Sequence, residues 1–200
     1  MSSTFIKSHM ELVFATNNLH KLKEVQDLLE NRIKLLSLKD IGFFEEIPED
    51  FETLKENAAQ KAHYIFDKYK IDCFADDTGL EIDALNGEPG VYSARYAGEP
   101  CTFDDNMNKV LEKLQGIENR KACFKTVIVL LLEGKEYYFE GQVKGEILTE
   151  KSGVEGFGYD PIFKPIGHEQ SFAVMSSHEK NKISHRAKAT EKLIAVLKNY

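Results

Sequence analysis

The amino-acid sequence predicts an α/β fold with a mixed β-sheet flanked by helices. In the first half of the chain, short apolar runs alternate with stretches whose apolar residues recur at helical spacing, which indicates strands connected through helices. In the second half, two apolar runs separated by a short polar turn indicate an antiparallel hairpin. No internal repeat and no linker rich in Pro or Ser divides the sequence, so residues 11–200 are expected to form one domain.

The composition excludes several classes of protein. With 42% hydrophobic and 30% charged residues in a chain of 200, fibrous, coiled-coil and low-complexity proteins are excluded. The 33 acidic residues outnumber the 26 basic ones, and the net charge of −7 opposes binding to a nucleic-acid polymer, which requires many cations against phosphates. The longest apolar run, Val127–Leu132, has six residues. Because a membrane-spanning helix needs about 20, no membrane partner is expected.

The first ten residues and the cysteines bear on location. Residues 1–10 contain one Lys and lack the apolar stretch of a signal peptide, so they are expected to be a disordered leader. Whether that leader is native, precedes a second start or was appended is left open by the sequence. Cys73, Cys101 and Cys123 are odd in number and form no CxxC pair, which predicts reduced thiols, no zinc site and a cytoplasmic location.

The first 50 residues predict a strand, a helix and a second strand. Residues 12–15 form an apolar run that stops at the polar residues 16–18. Apolar residues then recur at helical spacing from Leu22 onward, which predicts a helix. A second strand is expected over residues 33–38, and an acidic connection follows over residues 45–50.

The next helix is predicted to begin near Thr53, because Thr53 and Glu56 have the spacing of a capping box. Apolar residues then follow at intervals of three and four and form one stripe. The members of this stripe are Leu54, Ala58, Ala62, Ile65 and Tyr69. A buried strand is expected over residues 73–75, and short extended pieces punctuated by glycines over residues 79–98.

The remaining elements are two helices and a hairpin. A helix from Thr102 to about Leu114 is predicted by the capping residues at its start. Residues 122–132 and 137–143 predict the two strands of the hairpin. The final helix is expected over residues 186–199, whose apolar residues fall on one face.

Four polar segments interrupt these patterns, and the first is residues 16–21. Backbone N–H groups at a helix start, the Thr16 hydroxyl, the asparagine amides and the Lys21 ammonium can together hold an anion without a glycine-rich loop. Capping of the helix by Asn18 is the simpler interpretation of this segment taken alone.

The second segment is Asp76-Asp77-Thr78-Gly79, directly after the strand predicted at residues 73–75. Strand alternation points the two carboxylates to opposite faces, so only one of them faces a given cleft. Such a carboxylate can hold Mg²⁺, orient a water molecule and accept its proton. An Asp-x-Gly turn without a functional role is the alternative interpretation.

The third and fourth segments lie near the C-terminus. In residues 153–161, alternating glycines permit the close approach of a ligand, and Phe157 and Tyr159 offer ring faces to a base. An ordinary turn is the alternative there. Residues 178–186 gather cations before the last helix, where Ser184 is the candidate N-cap. A solvated cluster of charges is the alternative for this segment.

Taken in order, six motifs resemble those of the inosine triphosphate pyrophosphatase family. They are Ala15-Thr16-Asn17-Asn18-x-x-Lys21, Glu56-Asn57-Ala58-x-x-Lys61-Ala62, Ala75-Asp76-Asp77-Thr78-Gly79-Leu80, Pro89-Gly90-Val91-Tyr92-Ser93-Ala94-Arg95, Gly156-Phe157-Gly158-Tyr159-Asp160-Pro161 and Ile183-Ser184-His185-Arg186. The resemblance extends from Leu12 to the C-terminus. It implies an elongated central sheet and two lobes with the active-site cleft between them. It also implies a Mg²⁺-dependent homodimer that hydrolyses ITP, dITP and XTP to the monophosphate and pyrophosphate.

The resemblance also assigns roles to positions. It makes Asp77 the general base and a metal ligand, with Asp76 beside it and Lys61 as a further catalytic residue. A second metal ligand is expected before the Glu-Asn-Ala helix, at Glu49, and Glu46 stays open as the alternative. Substrate contacts are expected at Thr16, Asn17, Asn18, Leu19, His20, Lys21, Thr78, Phe157, Gly158, Tyr159, Asp160, Lys180, His185 and Arg186.

These residues predict hydrolysis without a covalent intermediate. Water attacks the α-phosphorus and pyrophosphate leaves, which agrees with the lack of a GxSxG or GxxxxGK[ST] motif. A hydrogen-bond donor at His185, Arg186 or near Gly158 can donate to the 6-oxo group of a purine. The same donor disfavours adenine, whose 6-amino group would face it as a second donor. Three other interpretations stay open at this point: a pyrophosphatase for modified pyrimidines or dUTP, a nucleotide sensor without catalysis, and a dimerisation module.

Overall fold

The computed structural model describes residues 10–29 and 33–200. Of the expected leader, residues 1–9 lie outside the described residues, and Met10 is the first residue of the first strand. The strands are β1 (Met10–Phe14), β2 (Ile33–Leu36), β3 (Cys73–Ile82), β4 (Pro89–Gly90), β5 (Lys121–Leu132), β6 (Lys135–Ile147) and β7 (Phe163–Pro165). The α-helices are α1 (Leu19–Leu29), α2 (Leu54–Tyr69), α3 (Phe103–Lys113), α4 (Ser177–Ile183) and α5 (His185–Leu197). Single 3-10 turns lie at Lys39–Ile41, Asp83–Leu85 and Asp160–Ile162.

All described strands belong to one mixed sheet. Its order is β2-β1-β3-β5-β6-β7, with β4 paired to β3 at the side. β1 is parallel to both β2 and β3, because the connections between them run through helices. The other pairs are antiparallel, and β5 and β6 form the predicted hairpin. The predicted α/β fold with a mixed sheet flanked by helices is therefore confirmed.

Side-chain caps determine where three of the predicted helices begin. Thr53 Oγ1 accepts a hydrogen bond from Glu56 N at 3.2 Å, and its hydroxyl donates to the Glu56 carboxylate at 2.6 Å instead of completing a full capping box. Thr102 and Asp105 do complete such a box at the start of α3. Ser184 caps α5 through its side chain, as its position before the last helix predicts.

β3 is longer than the sequence predicts. It runs to Ile82 instead of ending at Ala75, and it pairs with β5 along its whole length, so the turn interpretation of residues 77–79 is wrong. The glycine in this stretch has a packing reason, because a Cβ at Gly79 would lie 2.7 Å from the carbonyl oxygen of Gly90. Pairing with a long apolar neighbour thus overrides the local preference of Asp and Gly for a turn.

The sheet is elongated and carries a separate core at each end. β5 has 12 residues, which at about 3.3 Å per residue extends for about 40 Å. At one end, α3 packs on the sheet through a core that includes Val110 and Phe163. At the other end, α1 and α5 cover one face around Phe74 and Leu193, and α2 covers the opposite face around Ala75. The polar stretch of β3 lies between these two lobes.

The helices of the described chain are short or polar. Within residues 10–29 and 33–200, no helix is long and apolar enough to cross a membrane. α4 is an addition to the predicted elements, because its seven residues are mostly polar and carry no apolar stripe.

Candidate active site

The candidate site lies where the sheet leaves a gap beside β3. β1 pairs with β3 only at Cys73 and Phe74, and β4 pairs with β3 from Leu80 onward. Among the described strands, none pairs with residues 75–79 on that edge. The two aspartates therefore lie in the middle of their own strand, not after its end as predicted, and the strand that ends beside them is β1. Ligand sites in open α/β sheets lie beyond such carboxyl ends.

A pocket of about 740 Å³ opens at this gap and collects most of the predicted residues. Those that line it are Thr16, Asn17, Asn18, Lys21, Glu49, Lys61, Asp77, Thr78, Phe157, Gly158, Tyr159, Asp160, Lys180, His185 and Arg186. Leu19, His20 and Asp76 lie outside this lining. The Leu19 side chain is 75% exposed on the surface of α1, which separates it from the rest of the predicted set.

Asp76 is buried in a network of donors on one side of β3. Its Oδ1 accepts from Lys21 Nζ at 2.9 Å, and its Oδ2 accepts from Arg186 Nε at 3.3 Å and from Thr78 Oγ1 at 3.2 Å. Burial opposes the charged carboxylate, but Lys21 and Arg186 outweigh it and hold the pKa of Asp76 well below its usual value. Asp76 is therefore an ionised anchor for two cations.

Asp77 points to the opposite side of β3 and has far fewer partners. Its Oδ1 accepts from Thr78 N at 3.0 Å and lies 3.5 Å from Lys61 Nζ. Its Oδ2 is buried and has no hydrogen-bond partner among the described residues. Burial raises the pKa of Asp77 above its usual value, against the pull of Lys61 and Lys21. An unpartnered buried acceptor costs about 1–3 kcal/mol, so this oxygen marks a place for a ligand, an ion or a water molecule.

Lys61 connects Asp77 with the acidic loop before α2. Its ammonium forms an ion pair with Glu49 Oε1 as well as with Asp77. Burial disfavours the charged ammonium, but Asp77 and Glu49 outweigh it and raise the pKa of Lys61. The second carboxylate oxygen of Glu49 accepts from Arg95 Nη1 at 3.4 Å. Glu46, the alternative to Glu49, lines the pocket but forms no ion pair with another described residue.

Two amide side chains of α2 hold the loop that carries Glu49. Asn57 accepts from Phe51 N at 2.9 Å and donates to Phe51 O at 3.0 Å. Gln60 accepts from Asp50 N at 3.0 Å and donates to the Asp50 carboxylate at 2.6 Å. The asparagine of the Glu-Asn-Ala motif thus has a structural role, because it holds the loop that places Glu49 opposite the lysine of the same motif.

The loop between β1 and α1 is organised by its own side chains. Asn18 Oδ1 accepts from the backbone N–H groups of His20 and Lys21 at 3.0 and 3.2 Å, and Thr16 Oγ1 accepts from Asn18 N at 3.2 Å. The capping interpretation of Asn18 is therefore confirmed. These three N–H groups already have acceptors, so the capacity of the loop for an anion lies in its side chains, above all in Lys21.

The cations before the last helix are buried, so the interpretation of a solvated cluster is wrong for the two that line the pocket. Lys180 is 5% exposed and donates to Asp160 Oδ2 at 2.6 Å and to Glu24 Oε1 at 2.7 Å. Arg186 is 2% exposed and donates from Nη1 to Glu24 and from Nη2 to Thr78 Oγ1 at 3.2 Å. Sequence reasoning missed Glu24, because a single glutamate on α1 gives no signal of a partner that lies more than 150 residues away.

The glycine-rich segment is folded around Asp160. Gly156 has a φ of +76°, and a Cβ at that position would collide with the Asp160 carboxylate. Asp160 Oδ2 accepts from Phe157 N at 2.8 Å and so holds the loop closed. Tyr159 is 4% exposed, and its hydroxyl donates to Ser93 O at 2.8 Å. Tyr159 is therefore part of the pocket wall, whereas Phe157 is the more accessible ring.

Aromatic rings occupy the end of the pocket beside Lys180. His20 stacks on Phe157 with ring centroids 5.1 Å apart, and Phe103 lies 6.0 Å from Phe157. His185 is buried and stacks on Phe124 at 4.5 Å. Burial lowers the pKa of His185 well below its usual value, so the ring is neutral, and its Nδ1 has no partner among the residues described. His20 thus lies at the aromatic end of the pocket. Sequence reasoning missed Phe103.

Two acidic residues of the pocket, Asp77 and Glu49, are candidate ligands for Mg²⁺. In the part of the chain that the structure describes, no group of three or more His, Cys, Asp and Glu side chains is placed to hold a metal ion. Mg²⁺ is usually held by one or two carboxylates together with substrate phosphates and water. Asp77 offers a buried oxygen without a partner, and Glu49 faces the same lysine. This donor set fits a Mg²⁺ ion that also binds the substrate's phosphates.

The fold and the pocket define an α/β protein of two lobes, whose cleft combines a carboxylate oxygen that has no partner among the described residues with buried cations. The model of the Ham1 family matches residues 12–196, so the chain belongs to the Ham1 family. The family resemblance that the six motifs predict is confirmed.

Relatives and solved structures agree with this assignment over nearly the whole chain. A dITP/XTP pyrophosphatase of Flavobacterium johnsoniae is 57% identical over 94% of this chain and 98% of its own length. A dITP/XTP pyrophosphatase of Porphyromonas gingivalis is 50% identical over 92% of this chain and 95% of its own length. The structure of a HAM1 protein from Coxiella burnetii matches with a TM-score of 0.87 at 39% identity, covering 96% of this chain and all of the other.

Proposed function

We propose that this chain is a nucleoside triphosphate pyrophosphatase that hydrolyses ITP, dITP and XTP to the monophosphate and pyrophosphate, and so removes non-standard purine nucleotides. Membership of the Ham1 family supports this proposal, as do the names of the relatives at 50% and 57% identity. The observation that carries it is Oδ2 of Asp77, which has no hydrogen-bond partner among the described residues and lies in a pocket of about 740 Å³ that Lys21 and Lys61 also line.

The charges of the pocket suit a triphosphate. The chain as a whole is acidic, so a polyanion is held only where cations are concentrated. Lys21 and Lys61 lie on either side of the aspartate pair, and each is largely buried, which strengthens its interaction with phosphate oxygens. Asp76 and Glu49 neutralise these lysines in the nucleotide-free chain and keep them in place.

In the mechanism, Asp77 accepts the proton of the attacking water. Its Oδ2 has no hydrogen-bond partner among the described residues and so can accept a proton, and Lys61 Nζ, 3.5 Å from Oδ1, orients the carboxylate. The water oxygen bonds to the α-phosphorus, the bond from that phosphorus to the bridging oxygen breaks, and pyrophosphate leaves with its charge balanced by the lysines. Mg²⁺, held by Asp77 and Glu49 when bound, would supply charge neutralisation at the phosphate oxygens.

The base would lie at the aromatic end, against Phe157. Arg186 donates from each of its three nitrogen atoms to oxygens of the chain, which makes it a support of the pocket more than a donor to the base. His185 has the unpartnered ring nitrogen. We assign the contact with the 6-oxo group to His185 or to a backbone N–H near Gly158. A donor that faces the 6-amino group of adenine costs about 1–3 kcal/mol.

Three finer features belong to the same proposal. The enzyme uses Mg²⁺, forms a homodimer and acts in the cytoplasm without a nucleic-acid polymer or a membrane as partner. The three cysteines support the location, because all are free thiols. Calorimetric titration with Mg²⁺, light scattering of the purified chain and fractionation of cells test these features one by one.

The proposal is tested by incubating the purified chain with a panel of triphosphates: ITP, dITP, XTP, GTP, ATP and dUTP. Pyrophosphate and orthophosphate are measured separately at early times. We expect pyrophosphate from the first three substrates and little product from ATP or dUTP. Orthophosphate as the first product, or preference for dUTP, would contradict the proposal. Binding of ITP without any product would favour a nucleotide sensor instead.

A further inference from the structure

We propose that Arg95 binds the terminal phosphates of the substrate and then the leaving pyrophosphate. This inference rests on the proposed function, because it assigns a group to the product that the reaction releases. Arg95 belongs to the Pro-Gly-Val-Tyr-Ser-Ala-Arg motif, for which neither the fold nor the mechanism above requires an arginine. Its side chain lines the same pocket and is 27% exposed there.

The guanidinium of Arg95 is only weakly engaged. Its Nη1 lies 3.4 Å from Glu49 Oε2, and its Nε lies 3.9 Å from Glu99 Oε1, beyond hydrogen-bond distance. It also lies over the Tyr92 ring, 5.4 Å from the centroid. Arg186 differs in both respects, because it is almost fully buried and all three of its nitrogens donate to the chain. Arg95 therefore keeps donors for a ligand.

The order of the ion pairs places Arg95 at the phosphate end of the pocket. Lys180 lies beside the aromatic end, 5.2 Å from the Phe157 centroid. From there one set of contacts joins Lys180, Glu24, Arg186, Asp76 and Lys21. Past the aspartate pair, a second set joins Asp77, Lys61, Glu49 and Arg95. A nucleotide with its base on Phe157 and its α-phosphorus near Asp77 thus extends its last two phosphates toward Arg95.

Glu49 makes this contact exchangeable. One of its carboxylate oxygens pairs with Lys61 and the other with Arg95. Glu49 therefore balances the charge of both cations until an anionic ligand binds. A phosphate carries more charge than a carboxylate and offers two acceptors to the planar fork of arginine. An arriving terminal phosphate therefore replaces Glu49 at Arg95, and the same contact stabilises the charge that develops on pyrophosphate as it leaves.

The test is calorimetric titration of the metal-free chain with inorganic pyrophosphate and, separately, with inosine monophosphate. We expect Arg95→Gln to weaken pyrophosphate binding about tenfold, because one charge-assisted contact is lost. Binding of the monophosphate should change by less than about twofold. Arg95→Lys should recover part of the loss, because it keeps the charge but not the fork. The matched control is Lys164→Gln, which removes a half-buried cation that pairs with Glu146 outside the pocket.

A kinetic readout separates this role from a merely structural one. In the Mg²⁺-supplemented reaction, Arg95→Gln should raise the inhibition constant of pyrophosphate and the KM for ITP by similar factors, with inhibition by inosine monophosphate unchanged. The inference would be overturned if Arg95→Gln weakened the binding of pyrophosphate and of inosine monophosphate equally. Wild-type affinity of Arg95→Gln for pyrophosphate would also overturn it. If the wild-type chain released orthophosphate instead of pyrophosphate, the proposed function would fail, whatever Arg95 does in the metal-free titration.

Discussion

Asp76 and Asp77 are chemically identical neighbours on one strand, yet the fold gives them opposite properties. Asp76 is surrounded by Lys21, Arg186 and Thr78, and its pKa lies below the usual value. Asp77 keeps one oxygen without a partner among the described residues, and its pKa lies above the usual value. Strand alternation turns the two side chains to different neighbours, and those neighbours decide which carboxylate anchors two cations and which keeps an oxygen for a ligand.

The largest effect of a single substitution is expected at Asp77. We expect Asp77→Asn to lower the rate of pyrophosphate release from ITP by about 10²–10⁴-fold, because an amide cannot accept the proton of water. The free energy of unfolding should stay the same or increase, since burial disfavours the charged form of this carboxylate. Steady-state kinetics and urea unfolding of the same preparation measure both quantities. Turnover close to that of the wild type would remove Asp77 from the mechanism.

The opposite result is expected at Asp76. Asp76→Asn leaves Lys21 and Arg186 without their shared counter-ion, and breaking a buried ion pair from one side costs about 3–5 kcal/mol. Urea unfolding measures this loss, with Asp67→Asn on the exposed face of α2 as the control. The control should change stability by less than about 1 kcal/mol. A similar small change for Asp76→Asn would show that the network does not anchor the pocket.

The pH dependence of stability should differ between the two aspartates. The folded-state pKa of Asp76 is depressed, so its contribution is fully present above the unfolded value of 3.8 and is lost as pH falls below it. The folded-state pKa of Asp77 is raised, so its charged form costs stability above that pKa, and this cost disappears as pH falls through it.

Urea unfolding in EDTA between pH 7 and pH 3 measures how the free energy of unfolding depends on these carboxylates. The stability gap between the wild type and Asp76→Asn should narrow at the acid end of the series. A gap that stayed constant down to pH 3 would show that Asp76 is not held in its charged form by the fold.

The smallest effect is expected at Thr78, which touches both aspartates by different groups. Its hydroxyl donates to Asp76 and its backbone N–H donates to Asp77. Thr78→Val removes the hydroxyl alone, which also shares a hydrogen bond of 2.7 Å with Thr126 Oγ1, so we expect a loss of about 1–3 kcal/mol of stability. A double-mutant cycle with Asp76→Asn should show that the two losses are not additive. Additive losses would mean that Thr78 acts elsewhere.

The sequence predicts those parts of the fold that depend on neighbours along the chain. The cap residues Thr53, Thr102 and Ser184 act on N–H groups three residues away, so spacing alone identifies the helix starts. The extension of β3 is different, because Asp76 and Asp77 have turn-forming preferences that only pairing with Ile128 and Val127 of β5 overrides. Tertiary context of this kind has no local signal.

The candidate site also has a part that the sequence predicts and a part that it does not. The motifs give the residue types of the site, and the resemblance to a family predicts that these residues lie in one pocket. The burial of Lys180 and Arg186 does not follow, because their counter-ion Glu24 lies on a distant helix. The contact between Arg95 and Glu49 is likewise visible only when two separate loops are brought together.

The position of attack is the step on which the mechanism rests, and isotope labelling observes it directly. ITP is hydrolysed by the wild-type chain in water enriched in ¹⁸O, and both products are examined by mass spectrometry. If water activated by Asp77 attacks the α-phosphorus, the label appears in inosine monophosphate and is absent from pyrophosphate. Label in the pyrophosphate would mean attack at the β-phosphorus and would contradict the geometry assigned to the pocket.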